Sequence, residues 1–180
     1  MAARTVPTMP DWSLNEEITS SLLQQITTYA RFWANRPMFR MYQTVVQSIP
    51  NGADTQMTMD TLDYDTDSGR AGSSPWSYVI PVGMSGRWRF TVLYSAVGNA
   101  TGARQPKLYK NGALATGGYT GAQASPATAS HGGQLVLTLA CAAGDVMGAY
   151  AWQNSGGALN TNLGAQCSVF EGVLESLATP

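Results

Sequence analysis

From Pro37 onward the chain never sustains a helical hydrophobic period; it runs in short alternating stretches closed by turns rich in glycine, proline or asparagine. Alternation places every second side chain on one face of an extended strand, and that apolar face can be buried only against another sheet. Residues 39–47, 56–59, 61–64, 77–81, 86–95, 106–110, 135–140, 146–153 and 168–177 read as strands. Pro50-Asn51-Gly52 and Asn111-Gly112 read as turns, and residues 65–75, 113–133 and 154–166 as loops. About eight to ten antiparallel strands with no second helix predict an all-β fold, a two-layered sandwich or a barrel.

One amphipathic helix precedes them. Ser13 and Glu16 form a capping box, and Glu17 adds negative charge at the positive end of the helix dipole, so the helix is expected to begin at Leu14. Leu14, Ile18, Leu22, Ile26, Tyr29 and Trp33 make one apolar stripe at helical spacing, which Leu23, Ala30 and Phe32 widen. Arg36-Pro37 ends it, since a residue before proline is pushed out of the α region. The stripe has two readings: it packs on its own β-domain, or it joins neighbouring subunits or moors the chain in a larger assembly. The second makes residues 1–37 an arm with an anchoring or trimerisation helix and residues 38–180 a head domain.

Charged residues are only 12% of the chain and the net charge is −1, with no lysine or arginine cluster. Nucleic-acid binding needs a basic stripe that displaces counterions, so it is not expected. No run of about 18 apolar residues is present, so no membrane insertion is expected either. Residues 1–7 lack the apolar core of a secretory signal. Cys141 and Cys167 read as free apolar thiols, with a bridge between strand ends as the alternative. No CxxC or Cys/His cluster points to a metal.

Four segments carry a family likeness. Gly86-Arg-Trp-Arg-Phe90 resembles the glycine-x-aromatic-x-phenylalanine strand of the complement-component-q globular head, a relative of the tumour necrosis factor jelly roll. Leu108-Tyr-Lys-Asn-Gly112 is similar to that family's leucine followed by an asparagine-glycine hairpin. Leu137-Thr-Leu139 with Gly144-Asp145-Val146 resembles its leucine-rich strand and glycine-aspartate turn, and Phe170-Glu-Gly172-Val-Leu174 its terminal strand. The resemblance implies a jelly-roll sandwich assembled as a homotrimer, with Tyr94, Tyr109, Tyr150, Trp152 and Phe170 as candidates for the three-fold axis.

Asp11-Trp-Ser-Leu-Asn-Glu-Glu-Ile-Thr19, a helix and Arg36-Pro37 resemble the opening of small virion proteins of tailed bacteriophages, especially minor tail and head-decoration proteins of phages of actinobacteria. Leu14-Asn15 stands where that pattern commonly has a glycine. The resemblance implies a virion protein assembled in the bacterial cytoplasm, with other tail or capsid proteins as partners.

Residues that suggest chemistry are few. His131 is the sole histidine and has no nucleophile elbow beside it in the sequence. Asp60, Asp63, Asp65 and Asp67 offer carboxylate pairs, but acidic loops are usually solvated turns. Asp63 to Gly69 alternates aspartates as a calcium loop does, yet Ser68 and Ser74 occupy the positions where an EF-hand needs glycine and glutamate. Asn99-Ala-Thr101 fits a glycosylation acceptor but reads as a loop. No catalytic residue and no cofactor are therefore expected.

The expected function is a virion structural protein of minor tail or fibre type whose head can contact the host surface. Tyr119, Gln123, Gln153 and Asn154 would stack on and hydrogen-bond to a host glycan. A capsid-decoration protein that clamps capsomers is the alternative, and a free carbohydrate- or protein-binding module a further one.

Overall fold

The computed structural model of the protein describes residues 4–11, 17–123 and 130–178. Helix α1 (Ser20–Ala34) leads into β1 (Met38–Tyr42), β2 (Ser48–Ile49), β3 (Thr55–Gln56), β4 (Thr61–Asp65), β5 (Arg70–Ala71), β6 (Ser77–Val79) and β7 (Gly86–Ala96). β8 (Ala103–Lys110), β9 (Ala113–Tyr119), β10 (Ala122–Gln123), β11 (His131–Cys141), β12 (Val146–Gln153), β13 (Leu159–Asn160) and β14 (Val169–Leu177) follow.

Two antiparallel sheets face each other. One is ordered β11-β7-β14-β1-β4; the other is ordered β10-β8-β12-β6-β5, with β3 added to β12 and β9 to β8. From β6 on, the long strands alternate between the sheets, and β1 lies beside β14. This is the wrapping of a jelly roll. The β8–β9 hairpin closes on Asn111 and Gly112, both at positive φ, the two-residue turn whose twist suits the flanking strands.

Alternation decides what is buried. β7 turns Trp88, Phe90, Val92, Tyr94 and Ala96 inward and Arg87 and Arg89 outward. Opposite them, β12 contributes Met147, Ala149 and Ala151, and β8 contributes Leu108. Phe39 of β1 and Tyr78 of β6 stack across the sheets with centroids 3.7 Å apart, and Phe170 meets Phe39 edge-on at 4.9 Å. Gly172 sits between Phe39 and Phe90 in register on both neighbouring strands. A Cβ there would lie 2.5 Å from Phe39 and 2.9 Å from Phe90, so the rings close over a position that only glycine leaves open.

The helix is shorter than its stripe predicts. Residues 17–19 are not helical, and the Thr19 side chain caps the helix by accepting from the Leu22 amide at 3.2 Å. Ser13, Leu14 and Glu16 lie outside the described residues. The β-branched pair Ile18-Thr19 favours extended backbone, and a threonine hydroxyl serves better as a cap than inside a helix. Phe32 joins the core of the sandwich and Trp33 packs against it, whereas Ile18 and Leu23 stay exposed at 64% and 53%. Only the last turn of α1 is docked on the β-domain through core contacts.

Three loops predicted from composition contain strands: β5 within 65–75, β9, β10 and the start of β11 within 113–133, and β13 within 154–166. The glycines of β9 serve a strand rather than a loop. Gly118 lies so close to the carbonyls of Leu108 and Ala115 that a Cβ would meet both at 2.6 Å, and the β8–β9 register shifts beside it. A glycine-rich run is here a bulged strand. The strand predicted to reach Gln47 ends at Tyr42, because the Asp60 carboxylate takes the amides of Thr44 and Val45 and turns the chain away.

Replacing Gly172 by alanine should lower unfolding free energy by about 1–3 kcal/mol, the usual cost of overpacking a filled core. Urea denaturation of the variant beside the parent measures it.

Candidate functional site

Where the arm meets the head, Arg4 binds Asp67 in a forked pair, Nε to Oδ1 at 2.8 Å and Nη2 to Oδ2 at 2.7 Å. The same guanidinium donates to the Asn35 carbonyl and lies 5.6 Å over the Phe32 ring. The Asp67 side chain is fully buried. Burial pushes its carboxyl up, but the hydrogen bonds from Arg4 and Thr66 and the Arg4 charge outweigh that and hold it below the ordinary carboxylate range. One arginine thus joins the arm, the end of α1 and the head. Nothing at the sequence level distinguishes Asp67 from its acidic neighbours, because its partner lies 63 residues away.

The other acidic residues are also engaged. Asp65 accepts from the amides of Asp67, Gly69 and Arg70 at 3.0–3.2 Å, and Asp63 pairs with Arg40 at 2.8 Å. Asp60 holds Thr44, Val45 and Thr61; burial raises its carboxyl, and these bonds more than offset the rise. Carboxylates considered for calcium or for paired catalysis are each spent on the chain's own donors. Among the described residues no cluster of three or more His, Cys, Asp or Glu is placed to hold a metal.

The five aromatic axis candidates do not share a surface. Tyr94 and Phe170 are wholly buried between the sheets, so they have no area to offer another subunit. Burial pushes the Tyr94 hydroxyl up to about 12. Tyr109, Tyr150 and Trp152 stand half-buried on the outer face of the seven-stranded sheet. Alternation shows that Tyr109 and Tyr94 face away from the opposite sheet or toward it, but not which sheet is involved. Tyr109 and Tyr150 stack at 4.0 Å, Lys107 lies 5.4 Å over Trp152, and Asp54 accepts from Lys107 at 2.5 Å and from the Tyr109 hydroxyl. Burial and then that bond to Asp54 push the Tyr109 hydroxyl up to about 12.

Of the residues expected to face a receptor, Tyr119 is 56% exposed at the end of β9. Asn154 is exposed and accepts from the Ala103 amide at 2.5 Å. Gln153 is a correction: it is fully buried, with its amide nitrogen on the Ile49 and Gly157 carbonyls and its oxygen on the Ser155 amide. It shapes the loop from beneath. Gln123 lies in β10, and its side chain falls outside the described part.

Among the helix residues, Leu22 is buried, Ile26, Tyr29 and Trp33 are half-buried, Ile18 is exposed, and Leu14 lies outside the described residues. Both cysteines are free. Cys141 pairs with Gly86 and Cys167 lies just before Val169, the partner of Leu93. They sit toward opposite ends of β7, more than about 20 Å apart at about 3.3 Å per residue, which rules out a bridge within the chain. Burial raises the Cys141 thiol to about 11.

Among the described residues, no strand lies over the outer face of the five-stranded sheet. It presents Val136 at 52% and Tyr64 at 39% exposure with Met38, Tyr42, Leu93 and Val173, and Met38, Tyr64, Arg89, Thr91, Glu171 and Val173 line a cavity of about 240 Å³ on it. Most of its charges are paired, Arg40 with Asp63 and with Glu171 at 3.5 Å and Arg89 with Glu175 at 2.7 Å, while Arg87 is exposed at its edge.

Neither a protein-family model nor a curated protein matches the chain. Solved structures do. The globular domain of zebrafish complement 1qA protein superposes with a TM-score of 0.55 at 13% identity, covering 79% of this chain and 100% of that one. The chain carries a C1q/TNF-like jelly roll. Eiger TNF from S. frugiperda gives 0.56 at 13% identity over 81% and 97%, and PRD1 vertex protein P5 gives 0.52 at 17% over 77% and 97%. At these identities the likeness is one of fold. The four family-like segments fall on β7, the β8–β9 hairpin, β11 with the turn into β12, and β14. As the turn motif suggested, Asp145 accepts from the Ala142 amide at 2.7 Å. No helix among the described residues is long and apolar enough to cross a membrane.

Arg4→Ala should cost about 1–3 kcal/mol, because it leaves a buried carboxylate without its partner. The folded Asp67 titrates below its unfolded value, so the pair contributes fully above about pH 4 and its contribution fades as pH falls through the folded value. Hydrogen exchange across Ser20–Ala34 should therefore be faster in the variant at neutral pH, with the gap closing in acid.

Proposed function

We propose that the chain is a phage virion structural protein, a homotrimer of minor tail or fibre type in which the arm and α1 moor the subunits and the jelly roll projects from the particle. The observation that carries this reading is the outer face of the five-stranded sheet, an apolar surface over which no described strand lies, together with exposed Leu23 on α1 and exposed Ile18 just before it. On the sheet face apolar side chains stand among ion pairs, which suits contact with a copy or a neighbouring structural protein. The enclosed core and the fully engaged aspartates favour a scaffold over a catalyst.

A second reading is decoration of the capsid. It is favoured by the fold shared with a vertex protein. Gold-labelled antibody on intact particles separates the two, because tail-tip and capsid labelling exclude one another for a single address. In either case the helix is the mooring element. Removing residues 1–36 would also strip Phe32 and Arg4 from the head, so substitution of exposed helix residues is the cleaner intervention.

Light scattering should return a mass about three times that of one chain. Val136→Glu, on an exposed position where the fold itself tolerates charge to within about 0.5 kcal/mol, should reduce the assembly to monomers. A monomeric parent at micromolar concentration would defeat the trimer. Ile18→Ser with Leu23→Ser should leave the folded head intact and deplete the protein from particles; wild-type occupancy would count against mooring through the helix.

A further inference from the structure

The register of four neighbouring strands lines up one row of side chains on the outer face of the seven-stranded sheet. Gln56 of β3 lies opposite Tyr150 of β12, Tyr150 opposite Lys107 of β8, and Lys107 opposite Tyr119 of β9. Tyr109 and Trp152 flank the row on either side, one pair of residues along. Three strand spacings of about 4.8 Å make this row roughly 14 Å long, more than one small ring covers.

Its residues are of two kinds. Tyr109, Tyr150, Trp152 and Tyr119 are aromatic and at least partly exposed, on a sheet face that needs no such rings for the core. Gly148 stands opposite Tyr109 and two residues before Tyr150; a Cβ on it would come 3.1 Å from the Tyr150 ring, so the missing side chain makes room for the stacked pair. Rings held by stacking lose little freedom when a ligand arrives. Between them, Asp54, Lys107 and Gln56 offer carboxylate, ammonium and amide groups that are already tied down, Lys107 and Tyr109 to Asp54 and Gln56 to Ser77 at 3.1 Å.

The charge of the patch selects its ligand. Lys107 is neutralised by Asp54 at 2.5 Å, so the row offers no free cation for a phosphate, sulfate or uronate. Aromatic rings beside paired polar groups suit a molecule with apolar C–H faces and a rim of hydroxyls. We propose that this row binds a neutral saccharide chain, with Trp152, Tyr150 and Tyr119 under the sugar rings and Asp54, Lys107 and Gln56 on their hydroxyls. This moves sugar recognition from the loops to the sheet face. It deepens the proposed host-surface role and rests on that role only for its biological use, since binding is measured on the free protein. A negative result here therefore leaves the mooring and trimer tests untouched.

Affinity electrophoresis of the full chain through gels containing dextran, mannan or galactan, with heparin as the anionic comparison, tests it. Retardation by at least one neutral polysaccharide is expected, together with a change in tryptophan fluorescence when short oligosaccharides of the same sugar are titrated in. Trp152→Ala should weaken that binding about tenfold or more. Tyr119→Ala, at an exposed position that does not threaten folding, should weaken it severalfold, and Val82→Ala, in the exposed loop between β6 and β7 and off both sheet faces, should leave it unchanged. Retardation by heparin alone, by none of the gels, or equally by parent and both patch variants would overturn the proposal. So would a fall in scattering mass on Tyr119→Ala, which would make the row a contact between copies.

Discussion

The stack of Phe39 on Tyr78 joins the two sheets, and the rest of the sandwich is arranged around it. Phe39 is held from the side by Phe170 and has room only because Gly172 lies beneath it. An aromatic cluster of this kind buries large area with few rotatable bonds, so it sets the spacing and the relative orientation of the sheets together. Tyr78 also belongs to the same buried cluster as Phe32, over whose ring the Arg4 guanidinium lies. The inter-sheet stack and the arm junction are therefore neighbours, and the arm is not an independent appendage.

Each sheet, once its inner face is filled, has an outer face to dispose of, and the two are unlike. On the five-stranded sheet most charges are paired, with valine, methionine and tyrosine between them. Such a surface gains by being covered and offers little that recognises a hydroxyl. On the seven-stranded sheet the rings come interleaved with polar groups, and the polar groups are held in place by one aspartate. That combination is better suited to a wet ligand than to a dry subunit contact. On the two proposals made above, that difference assigns assembly to one side of the domain and recognition to the other.

Much of the architecture was legible from residue order. The alternation of β7, the asparagine-glycine turn and the stop before Pro37 each depend on neighbours in the chain, and each is present in the fold. The start of α1 was not, because Thr19 competed successfully as a cap against the signals upstream. Nor were β9 and the early part of β11: glycine signals a loop by composition, whereas here it serves close backbone approach and a bulge, which only a neighbouring strand requires. Aromatic residues could be picked out as special but not sorted. Tyr94 and Phe170 went to the core and Tyr109, Tyr150 and Trp152 to an outer face.

The sequence by itself determined the fold class, a leading helix and the strand faces, because these follow from local periodicity and caps. Only the tertiary structure decided which strands became neighbours, and with that which residues met. Arg4 finding Asp67, Gln153 turning inward, and Gln56, Tyr150, Lys107 and Tyr119 forming one row are all products of pairing between distant segments. Alternation gives a side chain one of two directions, but the sheet order and register decide what stands in that direction.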